Sequence, residues 1–578
     1  MELERLDAKE QRRLSPPILA ARDWREARRV RWLPQGAVDL LIPAAATTLL
    51  FVTALVLTAL NEHPVLRVHP SPTADFVRSL VPLAVAIVVV LSVYRPWPTF
   101  LAVLALTPVW NSAQMEFMVG PVQVILQTVF VAALLAGCVL RERTRRRLRA
   151  QALSYPGPLE EAAAPVVAGT ASKTRRRWLD GFESVRFAEV AAGAFLLLAV
   201  ASTLASPSFS NSINGLLHGI VEPIAMGAIL VSLRPSPRGL LLVAGALVVS
   251  IALGSLIDLL QAIKAYGTLT QIVNHRLLFT EVTYDNVGLF GVIVATVLPL
   301  AAAVLLLRRD LGIPRWGVVL FAAAGLLSLV GLFFSVSKSA WLAAAIAMTL
   351  LLLLLMHSWW KRLATSLAVV ALSAVFIPWP AFLLQAVPPV DNAYRTAVIA
   401  MVGESRFDSW NPSTTSGHGS MAERYYAIEG GVHMAVDHPL LGVGLNEFHT
   451  YYMDLGYRPA GALDNLDHAH SVLPEVAAEL GIPALAMLLT VFAAALWAMW
   501  GIYRAARDTV TRTLAAMLIV SIVAWLVAAT AYGADIYRAF RDQASDIVAL
   551  AVVLAMAIAL ARWVREHGHS AAKVTATP

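Results

Sequence analysis

Apolar runs long enough to cross a bilayer recur along this chain from Val38 to near its C-terminus. About 20 residues of helix span the roughly 30 Å hydrocarbon layer. Lipid offers no partner to a backbone N–H or C=O, so such segments fold as helices whose bonds close internally. Composition agrees: of 578 residues 58% are hydrophobic and 14% charged, with a mean hydropathy of +0.67. A soluble domain carries about 25% charged residues, so the chain is read as an all-α polytopic membrane protein.

The runs are centred in residues 38–60, 77–94, 97–112, 118–140, 187–205, 213–233, 240–262, 286–307, 317–335, 340–356, 364–387, 480–502, 514–532 and 545–562. They make about fourteen crossings, or about twelve to thirteen if the short third and tenth runs do not span. Val38–Leu60 is too long for the apolar core of a secretory signal and is expected to stay as a membrane helix. Lys and Arg are retained on the cytoplasmic side of short loops. With the Arg-rich residues 1–37 inside, Arg141–Arg149, Arg175–Arg177, Arg234, Arg238, Arg308, Arg309, Lys361, Arg362, Arg504, Arg507, Arg562 and Arg565 all fall on that side. The expected organisation is a basic cytoplasmic N-terminus over 1–37, membrane helices over 38–387, a large outward loop over 388–479, further membrane helices over 480–562 and a cytoplasmic tail over 563–578. Residues 141–186, two basic clusters flanking an Ala, Pro and Gly-rich stretch, read as a mobile cytoplasmic linker.

The net charge of +7 sits in clusters beside membrane segments, where topology and anionic headgroups account for it. No recognition motif accompanies it, so nucleic acid is excluded as a partner. Cys138 is the only cysteine, which rules out an intramolecular disulfide and a cysteine metal cluster. Neither a tandem repeat nor the paired broken helices of inverted-repeat transporters is evident.

Chemistry is expected in the outward loop. Asn411–Gly419 (NPSTTSGHG) is a flexible stretch, and Ser420 with Glu423 stands at capping-box spacing after it. A helix carrying Arg424 should begin there and end before His438 and Pro439. Two later segments are unlike filler: Asp437–Phe448 (DHPLLGVGLNEF) and Asp467–Ala484 (DHAHSVLPEVAAELGIPA).

Both resemble the signature blocks of the O-antigen ligase and O-antigen polymerase family, at His438, Pro439, Gly442, Gly444, His470, Ser471 and Gly481. Ala484 departs from the Gly, Thr or Tyr that closes the family pattern. Upstream, Arg276 followed by Tyr284, Asp285 and Asn286 is similar to the family's Arg block, and Arg424 to the Arg of its loop helix. Ser335–Trp341 (SVSKSAW) is similar to a stretch that usually reads Ser-Arg, so Lys338 replaces an Arg. Lys keeps the charge and loses the bidentate fork. The resemblance runs from about Arg276 to Gly481, and topology extends it over most of the chain.

The resemblance implies a GT-C-like helical bundle in a bacterial inner (plasma) membrane, with one large periplasmic loop. It implies an inverting, metal-independent glycosyltransferase of cell-envelope polysaccharide or lipopolysaccharide synthesis. The donor would be a polyprenyl-diphosphate-linked glycan, such as one on undecaprenyl diphosphate; the acceptor would be a glycan, lipid A core or a protein. In this reading His470 is catalytic, and Arg276, Arg424 and Lys338 bind the diphosphate. His468, Asp467, Ser471 and Glu222 support them, with no cofactor and no metal. Ligase, polymerase and protein glycosylation share donor and chemistry and differ in acceptor.

The residue types suit that chemistry on their own terms. A departing diphosphate needs its charge met, which guanidinium forks do without a divalent metal. The helix N-terminus expected near Ser471 favours an anion, and a neutral imidazole suits proton removal from a hydroxyl. Plainer readings stand beside these. His470 could cap a helix, and His468 competes as the base. Glu475 and Glu479 read as acids placed by a helix dipole, and Asp464 with Asp467 as a weak metal pair. His218 and Glu222 share a helix face in an apolar run, where they either line a cavity or bond each other; Asp258 is read in the same way. The alternative function is a lipid-linked oligosaccharide flippase or other polytopic transporter, against which stand the outward loop and its His and Arg blocks.

Overall fold

The computed structural model describes residues 84–107, 116–119, 122–153, 173–266, 287–309, 313, 315–334, 338–355, 360, 363, 364, 367, 420–458, 468–532 and 545–574. The crossing expected at 38–60, and all but residues 364 and 367 of that at 364–387, lie outside them. Helices follow the apolar runs: α1 (Ala84–Tyr94), α2 (Pro96–Ala105), α3 (Leu126–Leu153), α4 (Lys173–Ala205), α5 (Phe209–Leu216), α6 (Glu222–Ser232), α7 (Pro237–Tyr266), α8 (Val287–Leu306), α9 (Arg315–Phe334) and α10 (Lys338–Leu355). The segment ahead of the last apolar runs contributes α11 (Ser420–Asp437), α12 (Phe448–Asp454) and α13 (Val472–Leu480), followed by α14 (Ile482–Ala505), α15 (Thr509–Tyr532) and α16 (Ser545–Val574). Among the described residues seven spans are long and apolar enough to cross a membrane, and four shorter apolar helices accompany them. The protein is thus a multi-pass membrane protein whose described spans are all helical, as its apolar runs predict.

Three local features differ from expectation. The run at 118–140 is helical only from Leu126; before it lies an antiparallel hairpin, β1 (Glu116–Val119) and β2 (Val122–Ile125), with Phe117 opposite Val124. The sequence between the strands is Gly120-Pro121, a turn signal, and the β-branched residues on either side favour extended backbone. The linker expected over 141–186 is shorter, because α3 runs on to Leu153 and α4 starts at Lys173. Arg, Leu, Ala and Glu are good helix formers, so the basic clusters extend the helices. The final helix likewise runs past residue 562 to Val574.

The core gathers on α15, where 78% of the membrane span is enclosed, against 22% for α9 and 28% for α4. Ala515, Ala516, Ala524, Ala528 and Ala529 are fully buried on it, and small side chains let helix backbones approach closely. Helices α8, α10, α14 and α16 pack around it. Trp525 stacks on Phe492 of α14 with ring centroids 5.4 Å apart. The α4 edge left exposed, with Phe187, Val190, Leu197 and Leu204, is what a lipid-facing helix requires.

Candidate functional site

The loop helix α11 begins at Ser420 and stops at Asp437, the bounds its capping spacing and His438-Pro439 predict. Its buried face carries Ala427, Gly430, Gly431 and Met434. A Cβ on Gly431 would sit 3.2 Å from Ala469 and 3.4 Å from Phe448, so the helix lies directly on both later segments. Ala427, Met434, Val443, Phe448, Tyr452, Ala469 and Ala478 form one apolar core beneath the site.

The two blocks interlock through their backbones. Val443 N–H donates to Ala478 C=O at 2.8 Å, Gly444 N–H to Glu479 C=O at 3.2 Å, and Ile482 N–H to Pro439 C=O at 2.9 Å. Gly442 (φ +68°) and Gly481 (φ +87°) occupy the left-handed region at this seam. A Cβ on Gly442 would fall 2.2 Å from the Glu479 carbonyl carbon, and one on Gly481 2.4 Å from Leu440 O. Only glycine meets both demands, backbone conformation and close approach.

Side chains fasten the same seam. Glu479, 1% exposed, accepts the Asn446 N–H at 2.9 Å on Oε2 and the Phe448 N–H at 3.0 Å on Oε1. Burial pushes its carboxyl up to about 8, against the lowering by those two N–H groups, and the charge of buried Glu447 adds to the rise. Glu447 is itself raised by burial, opposed by hydrogen bonds from Thr450, Asn211 and Ser208. From α4, Ser202 Oγ donates to Glu479 C=O at 2.8 Å, and from α5, Ser212 Oγ donates to Leu445 C=O at 2.6 Å. The loop is therefore bonded to the membrane bundle, not tethered only by its ends.

This frame presents His468 and His470. His468 is buried, and its Nε2 lies 3.0 Å from His470 Nδ1, with ring centroids 4.0 Å apart. His470 holds φ +52°, a conformation that costs a residue with a Cβ about 1–2 kcal/mol and that clusters at functional sites. The turn is held by the buried Glu475 carboxylate, which accepts the Ala469 N–H. Ser471 is the N-cap of α13 without a side-chain cap bond, so His470 stands one residue outside the helix and is not its cap. Helix α13 ends at Leu480 with Gly481 as its C-cap, and the membrane helix α14 begins at Ile482, in keeping with the apolar run at 480–502.

The other expected positions fall as follows. Arg424 lies on α11 and Lys338 opens α10, with side chains outside the described residues; Arg276, Asp464 and Asp467 lie outside them altogether. His438 packs edge-on against Tyr451, centroids 5.5 Å apart, and Tyr457 Oη donates to Asp437 at 3.0 Å. Glu222 is paired in the bundle: its Oε1 is 2.8 Å from His218 Nδ1 and accepts the Thr128 hydroxyl, while Gln127 Nε2 approaches Oε2 at 3.5 Å. A π-helical turn, Leu217–Val221, carries His218. The reading of His218 and Glu222 as partners is the one the geometry supports. Glu475 and Glu479 are the residues that sequence reasoning undervalued. Their place at the start of a helix reads as acids set there by its dipole, while in the structure both are enclosed and bonded to backbone N–H groups.

Among the described residues no group of three His, Cys, Asp or Glu side chains is arranged to hold a metal ion. No curated protein matches the chain. A family model described as O-Antigen ligase matches residues 323–489, a span that takes in Lys338, Arg424, the interlocked blocks and His470. The resemblance carried by those blocks is thereby shown: over residues 323–489 the chain matches the O-antigen ligase family.

Proposed function

We propose that this membrane protein transfers a polyprenyl-diphosphate-linked glycan to an acceptor hydroxyl at the periplasmic face of a bacterial inner membrane. The observation that carries the reading is the His468–His470 pair, held 3.0 Å apart on a buried and strained turn inside the region that matches the O-antigen ligase family. The acceptor oxygen attacks the anomeric carbon, the bond from that carbon to the diphosphate breaks, and the configuration inverts. The hydroxyl proton passes to His470 Nε2. That role requires the tautomer in which His470 Nδ1–H donates to His468 Nε2, so His468 orients the base. Arg276, Arg424 and Lys338 meet the charge of the departing diphosphate. Residue 160 is cytoplasmic and residue 415 periplasmic in this orientation, which reporter fusions at both positions read.

The test incubates purified protein with a polyprenyl-diphosphate glycan, EDTA and separate glycan, lipid A core and protein acceptors. Released polyprenyl diphosphate and an inverted linkage on one acceptor are expected. Donor crossing a vesicle membrane without a new glycosidic bond would instead assign a flippase. Activity lost to EDTA and restored by a divalent cation would move the chemistry to a metal.

A further inference from the structure

Helix α11 has three edges, and only two are accounted for by the site. One packs on the core through Ala427, Gly430, Gly431 and Met434. A second carries Glu429, His433 and Asp437, with His433 and Asp437 exposed. The third carries Ile428, Val432 and Val436, which fall within roughly 80° of arc at about 100° per residue. Their exposure rises along the helix, 37%, 47% and 66%, and continues to 72% at Leu440 in the following turn. Apolar side chains at rising exposure on an extramembrane helix would be costly in water.

The edge does not end in solvent. Leu440 sits against the start of a membrane span, since Ile482 N–H bonds Pro439 C=O at 2.9 Å and Gly481 abuts Leu440 O. Ile482, the first residue of that span, is itself 50% exposed, and Leu489, Trp497 and Trp500 continue the exposed apolar surface down α14. We infer that α11 is an interfacial helix whose Ile428–Val432–Val436–Leu440 edge lies in the acyl chains of the outer leaflet. An apolar edge beside a charged one is the pattern of a helix lying in the plane of the interface. The occupant is bulk lipid, because the edge is continuous with a surface that lipid already covers. Through the contact of Gly431 with Ala469, this contact anchors the His468–His470 turn relative to the bilayer. The inference needs the multi-pass membrane fold and is independent of glycosyl transfer.

Spin labelling tests it, helped by the single native cysteine. In a Cys138→Ala background, Val436→Cys and His433→Cys are nitroxide-labelled in lipid nanodiscs. Accessibility to oxygen, which concentrates among acyl chains, is compared with that to a water-soluble nickel chelate. The Val436 label is expected to favour oxygen several-fold more than the His433 label, and Val432→Cys repeats the measurement if Val436→Cys is not monodisperse. Equal nickel access at both positions would overturn the proposal by leaving the edge in water. Shielding of the Val436 label from both reagents would overturn it too, assigning the edge to protein, either a second copy or another part of the outward loop.

Discussion

Glu479 Oε1 accepts the backbone N–H of Phe448 at 3.0 Å, so a carboxyl group of the second motif block fastens the end of the first. The same residue's carbonyl accepts from Gly444 and from Ser202 of the membrane bundle. One residue thus joins both blocks and the bundle, and the seam around it sets where His470 stands.

The glycines of that seam should resist substitution. Gly442→Ala and Gly481→Ala each place a Cβ in the left-handed region and within 2.4 Å of backbone atoms. The conformation alone costs about 1–2 kcal/mol, and the collision forces the blocks apart. Both variants are expected to lower the thermal midpoint and abolish transfer. Gly456→Ala is the control, because φ is +86° there with nothing within 4 Å of its Cβ; a midpoint loss equal to that of Gly442→Ala would show that contact does not matter.

Much of this was legible in the residue order and much was not. The start and stop of α11 are local, set by Ser420 and by His438-Pro439, and were read to the residue. Most membrane helices follow from run length. The hairpin at 116–125 was hidden because an apolar β-branched stretch reads as either strand or helix, and the length of the combined run favoured helix. Glu475 and Glu479 escape the sequence reading because their partners are backbone N–H groups, of the turn just before α13 for Glu475 and of the first block for Glu479, which no periodicity reports. The start of α14 at Ile482 agrees with the apolar run at 480–502, and the chain breaks there at Gly481, φ +87°, with Leu440 packed against it. The pairing of His468 with His470 was missed as well: sequence set them as rivals for one role, and the turn makes them partners.

Stability should depend on pH through Glu479. Its carboxyl is raised from 4.5 to about 8 in the folded protein, so between those values the folded state binds more protons than the unfolded one. Its contribution is then fully present below 4.5 and is lost as pH rises through about 8. The thermal midpoint of the purified protein should fall across that window, and Glu479→Gln should flatten the fall. An unchanged slope in the Gln variant would assign the dependence to another group.

Removal of charge at the diphosphate positions should slow transfer and leave insertion intact. A charge-assisted hydrogen bond of about 1.5–3 kcal/mol corresponds to a loss of about 10-fold to 100-fold. Arg276→Ala and Arg424→Ala are expected to fall in that range, with Lys rescuing only partly at either site because the fork is lost. Normal turnover in both Ala variants would contradict the diphosphate assignment.

The most direct test is single-turnover transfer by His470 and His468 variants with a defined polyprenyl-diphosphate donor. His470→Ala and His470→Gln should each slow transfer by about 100-fold to 10,000-fold with donor binding nearly unchanged, since Gln keeps a hydrogen bond and cannot take the proton. His468→Ala should cost less and shift the pH profile, because it removes the partner of His470 Nδ1 and not the base. A fully active His470→Ala beside an inactive His468→Ala would contradict the account, moving the proton transfer to the other member of the pair.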